Sequence, residues 1–229
     1  MVGLVKDIIS PWRAYFAEFL GTFVFVFVAS GAVLVNIFYG DIGTLGVALA
    51  TGFSLSTMIY ATYHISGGHL NPAVTVSLWL TQKITGTMAF FYICAQILGS
   101  FAAGFAILFI YGAKSLEFSL GAPRVGTSDQ IAMIAEVLLT AMLTFVVFAT
   151  LVDRRSHLAF GPLAVGFFVV FATIAAGQIS GAVLNPARVL GPMILSNNYD
   201  SLAVFLAGPL CGGLFGVVYE WVFLRKIKK

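Results

Sequence analysis

Six long apolar runs alternate with short polar breaks along the chain: Trp12–Asn36, Thr44–His64, Thr87–Tyr111, Gln130–Leu151, Leu158–Gln178 and Ser201–Leu224. Each reaches the ~20 residues that an α-helix needs to cross a bilayer. The first run is too long for the hydrophobic stretch of a signal peptide, ~7–15 residues, although Lys6 and Arg13 precede it. Two shorter apolar stretches, Asn71–Leu80 and Asn185–Leu195, cannot span, and each opens on Asn-Pro. Proline suits the first turn of a helix, where its missing N–H has no partner to lose. Each stretch therefore reads as a half-helix starting at its Asn-Pro.

The order is helix, helix, half-helix, helix, and then the same again. Ala17-Glu18-Phe19-Leu20 opens one half and Ala135-Glu136-Val137-Leu138 the other. His64-Ile65-Ser66-Gly67-Gly68-His69-Leu70 leads into Asn71-Pro72-Ala73, and Gln178-Ile179-Ser180-Gly181-Ala182-Val183-Leu184 leads into Asn185-Pro186-Ala187. The polar loop from Lys114 to Asp129 separates the halves. The whole chain, 1–229, thus reads as one domain made of two repeats, approximately 12–111 and 130–224. An odd number of spans per half turns the repeats opposite ways in the membrane. Non-helical backbone in hydrocarbon leaves polar groups unpaired. The loops entering both half-helices must therefore be buried or line water, which puts the two Asn-Pro-Ala ends together near the midplane.

Composition agrees with lipid as the solvent: 60% of the 229 residues are hydrophobic and 9% charged, where a soluble domain carries roughly a quarter charged residues. The net charge of +3 bears on orientation and gives no reason to expect nucleic acid. Lys6, Arg13, Lys83, Arg154, Arg155, Arg225, Lys226, Lys228 and Lys229 fall on one side and only Lys114 and Arg124 on the other, so the first side, with both termini, is expected in the cytoplasm. Cys94 and Cys211 lie in apolar runs and are expected to be small buried packing residues, with no disulfide framework. No metal spacing, phosphate loop or nucleophile–base set is present, so neither a cofactor nor an enzyme is expected. Gly21, Gly99, Gly104, Gly166, Gly208, Gly212 and Gly216 fall within spans, where small residues let helices approach closely.

Two Asn-Pro-Ala motifs on half-helices, the second followed by Arg188, within six spans of an inverted repeat, resemble the aquaporin (major intrinsic protein) family over nearly the whole chain, from Glu18 to Pro209. The resemblance implies an all-α membrane fold of six transmembrane helices and two re-entrant half-helices, forming a homotetramer in the cell membrane with one pore per subunit for water and small neutral solutes. Each half-helix points its positive dipole end at the pore centre, where Asn71 and Asn185 offer N–H donors. A permeating oxygen must turn toward them, which breaks the file of hydrogen bonds a proton would follow; this type of pore is the standard example of such exclusion. Each Asn also suits a helix cap. Arg188 facing lipid would cost ~2.5–3.5 kcal/mol; the resemblance makes it the arginine of the outer filter.

Counted without gaps from the motifs, the other filter positions implied by the family are Thr51, Thr173 and Ala182. Water channels of the family have Phe and His at the two helix positions, and glycerol channels a large aromatic with Gly and Phe. Two threonines and an alanine imply a wider, more polar opening, closer to plant channels for silicic acid. A slip in the second helix would bring Gly52 or Phe53 to the filter, and Phe53 would restore an aromatic wall and a water-selective pore. Val189 stands where glycerol channels have Asp after the arginine, and Phe205-Leu206 before Gly208 matches neither subfamily. Water with glycerol, urea, ammonia, hydrogen peroxide or metalloid acids is the expected cargo. His64 is expected to line the cytoplasmic half of the pore, His69 to brace the first loop, and His157 to lie solvated in a loop. Glu18 and Glu136 are expected to accept hydrogen bonds from the re-entrant backbone. In a secondary transporter, the other class built from inverted repeats, these two carboxylates would instead couple an ion; a structural membrane protein is the third alternative.

Overall fold

The computed structural model describes residues 11–156 and 158–224. Lys6, His157, Arg225, Lys226, Lys228 and Lys229 lie outside the described residues. Six helices are long and apolar enough to cross a membrane. The first half holds α1 (Pro11–Tyr39), α2 (Gly43–Ser66), the short α3 (Pro72–Leu80) and α4 (Gly86–Tyr111). The second holds α5 (Asp129–Val147), α6 (Gly161–Ser180), the short α7 (Pro186–Leu195), α8 (Leu202–Gly213) and α9 (Phe215–Tyr219). A π-helical turn extends α5 to Val152 and another extends α9 to Leu224, so that α8 and α9 together make the sixth span. Spans and half-helices start and stop within a few residues of the apolar runs.

The local reasons are readable at the ends. Thr85 and Ser128 accept from the backbone N–H groups of Met88 and Ile131 and so cap α4 and α5. Gly67 and Gly181 end α2 and α6 in the left-handed conformation, at φ 91° and 87°, which glycine adopts without a Cβ penalty. These two glycines turn the chain back into the bundle toward each half-helix.

The halves pack alike. α1 lies against α2 and α4, and α5 against α6 and α8; α4 also packs on the α7 of the other half, and α8 on α3. The repeats are therefore interlocked, with α2 on α6 as a further seam. Gly99 and Gly212 occupy matching crossings. A Cβ at Gly99 would run into the carbonyl oxygen of Phe19 on α1, and one at Gly212 into that of Val137 on α5. Gly212→Val is expected to cost ~1–3 kcal/mol of stability, the usual range for overpacking, and to lower the thermal midpoint of the detergent-solubilised protein; an unchanged midpoint would show that this crossing yields.

Two expectations are corrected here. Cys94 is only half-buried and Cys211 exposed, both as free thiols, because each sits on the outward side of its helix. The connection between the halves is also less polar than its loop composition suggests. Ala113–Gly121 winds in 3-10 turns interrupted by a kink at Phe118–Leu120, and Leu120 there is wholly buried against Leu34 and Ile107.

At one end of the bundle, Asp153 follows the π-turn of α5. It accepts from the backbone and guanidinium N–H groups of Arg155, and the Arg155 guanidinium also donates to the Phe223 carbonyl. The hydrogen bonds from Arg155 hold the Asp153 carboxyl down at about 2, against an ordinary 3.8. A carboxyl depressed in this way stabilises the fold above its unfolded value and loses that contribution as pH falls through the folded one. The stability difference between the wild type and Asp153→Asn is thus expected to be constant from neutral pH to about 4 and to vanish between there and about pH 2. Thermal melts across that range measure it; a difference that persists at pH 2 would contradict the assignment.

Candidate functional site

The two loops that enter the half-helices meet inside the bundle, and each is built the same way. The residue before each asparagine, Leu70 and Leu184, is left-handed at φ 49° and 52°. These strained positions are held by hydrogen bonds to a buried glutamate. Glu18 on α1 accepts from Ser66 Oγ (2.6 Å) and the N–H of His69 (2.9 Å) on one oxygen, and from the N–H of Leu70 (2.7 Å) and Gln96 Nε2 (2.8 Å) on the other. Glu136 on α5 accepts from Ser180 Oγ (2.7 Å), the N–H of Val183 (2.8 Å) and the N–H of Leu184 (2.8 Å). Both carboxylates are wholly buried. A charge buried at this depth is tolerated only where hydrogen bonds surround it, and these do so while satisfying loop N–H groups that no helix ladder reaches.

Each asparagine does two things at once. Asn71 Oδ1 accepts from the N–H of Ala73, and Asn185 Oδ1 from that of Ala187, capping the half-helices behind Pro72 and Pro186. Asn71 Nδ2 donates to the Leu184 carbonyl (2.9 Å), and Asn185 Nδ2 to the Leu70 carbonyl (2.8 Å). The halves are thus cross-tied through their asparagines. Each amide group has a second N–H, which these bonds leave free.

A cavity opens on either side of this crossing, each of about 250 Å³. The inner one runs from Asn71, Gly67, Gly68 and His69 past Leu55, Ile59, Val74, Leu143 and Val165 to Lys83 and Val152. The outer one is lined by Thr44, Val47, Thr173, Gly177, Gly181, Arg124 and Arg188 among others. Arg188 is almost wholly buried; its Nη1 donates to the Ala182 carbonyl at 2.8 Å, and its Nε has no protein partner. Thr173 Oγ1 likewise has none. Thr51 is fully buried one helical turn inward of Val47, and its hydroxyl donates to the Val47 carbonyl at 2.8 Å.

From α2, Thr44 and Val47 line the outer cavity, while Thr51, Gly52 and Phe53 do not. Phe53 is exposed on the outward face of α2 and packs edge-on against Phe167, ring centroids 5.7 Å apart. Gly52 lies against Gly166 and Val170 of α6. Neither reaches the outer cavity.

His64 does not take the pore-lining place expected for it, and His69 lines the inner cavity as well as bracing its loop. His64 is exposed and lines neither cavity, while His69 lines the inner one. The cause is helical register: Leu55, Ile59, Tyr63 and Ser66 form the inward stripe of α2, and His64, one residue past Tyr63, is turned about 100° away. His69 also braces the loop, through Nδ1 to Thr75 Oγ1 (3.2 Å) and edge-on against Tyr92 (5.0 Å). Sequence reasoning missed Gln96 and Tyr92, whose hydroxyl donates to the Ser66 carbonyl at 2.8 Å. A glutamine inside the apolar run of α4 was the available signal for the first.

Comparison with known proteins agrees with this architecture. Residues 6–219 match the family described as Major intrinsic protein. The chain is 39% identical to "Probable aquaporin TIP4-1" of Oryza sativa subsp. japonica, over 93% of this chain and 88% of that one. It is 35% identical to "Probable aquaporin NIP4-2" of Arabidopsis thaliana, over 96% and 77%. The X-ray structure of the aquaglyceroporin from Plasmodium falciparum superposes with a TM-score of 0.81 at 26% identity, covering 93% of this chain and 97% of that one. With its six spans, two capped half-helices and interlocked repeats, the chain belongs to the major intrinsic protein family of multi-pass membrane channels, the aquaporins.

Proposed function

We propose that the chain passively conducts water together with small uncharged solutes such as glycerol, urea, ammonia, hydrogen peroxide or metalloid acids, and excludes protons and ions. The observation that carries this reading is the outer constriction. Thr173 and Arg188 line the outer cavity. We assign Thr51 and Ala182, both fully buried, to the filter with them, so that none of the four filter positions carries an aromatic ring or imidazole. Phe53, the aromatic that a shifted register would supply, faces away. A pore that rejects solutes by diameter loses that rejection when its walls are small. The names of the relatives, aquaporins and an aquaglyceroporin, span water and glycerol.

Exclusion of ions rests on three features. The second N–H of Asn71 and of Asn185 turns a passing oxygen toward the crossing, and the N-termini of α3 and α7 add their positive ends. Arg188 adds a full charge. A cation passing about 4 Å from it meets a repulsion of ~4 kcal/mol at an effective dielectric of 20. Arg188→Val is therefore expected to raise proton or cation leak by roughly tenfold or more while the half-helix dipoles still oppose it. A pH-sensitive dye inside proteoliposomes reads the leak. The wild type is expected to shrink fast in sucrose with no added proton flux; a proton flux that rises with wild-type protein would overturn the reading.

Glu18 and Glu136 act as braces of the loops and not as ion-coupling groups, since loop donors occupy both oxygens of each. Nothing in the site needs a cofactor, a metal or enzymatic chemistry. Arg13, Lys83, Arg154 and Arg155 gather at one end of the helices, so we place that end and both termini in the cytoplasm of a cell membrane. A homotetramer suits the outward face of α2, where exposed His64 fits against a neighbouring subunit better than against hydrocarbon.

A further inference from the structure

We infer that His69 is held as the Nδ1–H tautomer, and that its bare Nε2 is a hydrogen-bond acceptor for the O–H or N–H of molecules in the inner cavity. This deepens the channel reading and rests on it. The inference follows from counting protons around Thr75. Gln96 Nε2 lies 2.8 Å from the Glu18 carboxylate and 3.0 Å from Thr75 Oγ1. The carboxylate only accepts, which fixes the amide nitrogen, not its oxygen, on that side. One N–H of the amide then goes to Glu18 and the other to Thr75, so Thr75 accepts from Gln96.

Thr75 spends its single proton on the Asn71 carbonyl, 2.9 Å away. That leaves one lone pair on its oxygen, facing His69 Nδ1 at 3.2 Å. A hydroxyl has one donor and two acceptor positions. With the donor and one acceptor used, the contact to His69 closes only if Nδ1 carries the hydrogen.

In the neutral ring Nε2 is then unprotonated. It has no hydrogen-bond partner among the described residues, and the ring lines the inner cavity. Gly67 makes room beside it: a Cβ there would lie 3.3 Å from Nε2. The charged or titratable groups around the ring are Glu18 from α1, occupied by loop donors, and Tyr92 from α4, whose hydroxyl is committed to the Ser66 carbonyl. Neither competes for Nε2. The second loop has no counterpart, because Val183 and Val189 stand where the first has His69 and Thr75. The inner half of the pore thus holds an acceptor side chain in an otherwise largely apolar wall, opposite in sense to the donors Asn71, Asn185 and Arg188. Gln96 and Thr75 are positioning residues that act through the ring.

The test is nitrogen NMR of histidine-labelled protein in lipid, with the His69 signals identified by their loss in His69→Asn. The expected wild-type spectrum shows a proton on Nδ1 and none on Nε2; a proton on Nε2 would overturn the inference. Thr75→Val is expected to bring an Nε2–H population and to lower water permeability per channel by roughly two- to tenfold, the fold-change of one hydrogen bond of about 0.5–1.5 kcal/mol. Thr75→Ser should behave as the wild type. A Thr75→Val protein with wild-type spectrum and flux would also overturn it. The wild-type spectrum decides the tautomer even where Thr75→Val fails to fold. Wild-type vesicles that conduct no water would overturn the pore reading beneath the inference, whatever the spectrum.

Discussion

Thr51→Phe combined with Thr173→His is expected to cut glycerol flux by roughly tenfold or more, a barrier increase of at least about 1.4 kcal/mol, while water flux stays within about threefold. Thr173 on α6 lines the outer cavity with Arg188, and Thr51 on α2 lies one helical turn from Val47, which lines it too. Thr51 is fully buried with its hydroxyl tied to its own helix, so it offers the filter no free polar group. Thr173 brings a hydroxyl without a protein partner. A phenyl ring in place of the first removes width, and an imidazole in place of the second removes more and adds a donor. Water, smaller than either gap, still passes. Glycerol and water permeabilities of the double variant in proteoliposomes, with melting to show that it is folded, settle the point. Unchanged glycerol flux in a folded variant would mean that these residues do not form the filter.

Glu18→Leu is expected to abolish the folded state. Leucine fills much of the space but accepts nothing, and four buried donors, Ser66 Oγ, the N–H groups of His69 and Leu70, and Gln96 Nε2, lose their partner together. Each unsatisfied buried group costs ~1–3 kcal/mol, against a net stability of ~5–15 kcal/mol for a typical protein. The left-handed Leu70 would no longer be held in place, and with it would go the carbonyl that Asn185 uses to tie the halves together. Glu136→Leu strands three donors and is expected to be somewhat milder, and Glu18→Gln milder still, because an amide oxygen still accepts. Expression, monodispersity and the thermal midpoint in detergent rank the three; a Glu18→Leu protein that melts like the wild type would contradict the bracing role.

The spans were legible because each needs a long unbroken apolar run, and lipid permits little else. The half-helices were legible because Asn-Pro marks a start so strongly that both begin where the motif puts them. Glu18 and Glu136 were legible as a repeat-related pair of buried carboxylates, and the family resemblance, not their spacing, favoured a bracing use over an ion-coupling one. What failed was angular. His64 and His69 lie five residues apart, and the end of a helix falls between them, so helical spacing says where the first points but nothing about the second. Gln96 was hidden for a related reason: its partners, Glu18 and Thr75, are 78 and 21 residues away in sequence, and a hydrogen-bond network closed across three helices leaves no local pattern. Leu120 shows the same limit, because a loop with Pro123, Arg124 and Ser128 at its end gave no sign that its first part folds inward.

The central claim is that the filter assigned to Thr51, Thr173, Ala182 and Arg188 passes solutes larger than water, and stopped-flow light scattering on wild-type proteoliposomes tests it most directly. Vesicles are challenged with sucrose and, separately, with glycerol. Fast shrinkage in both, followed by fast reswelling in glycerol alone, is the expected result. Fast shrinkage without glycerol reswelling would show a water-selective pore and contradict the claim.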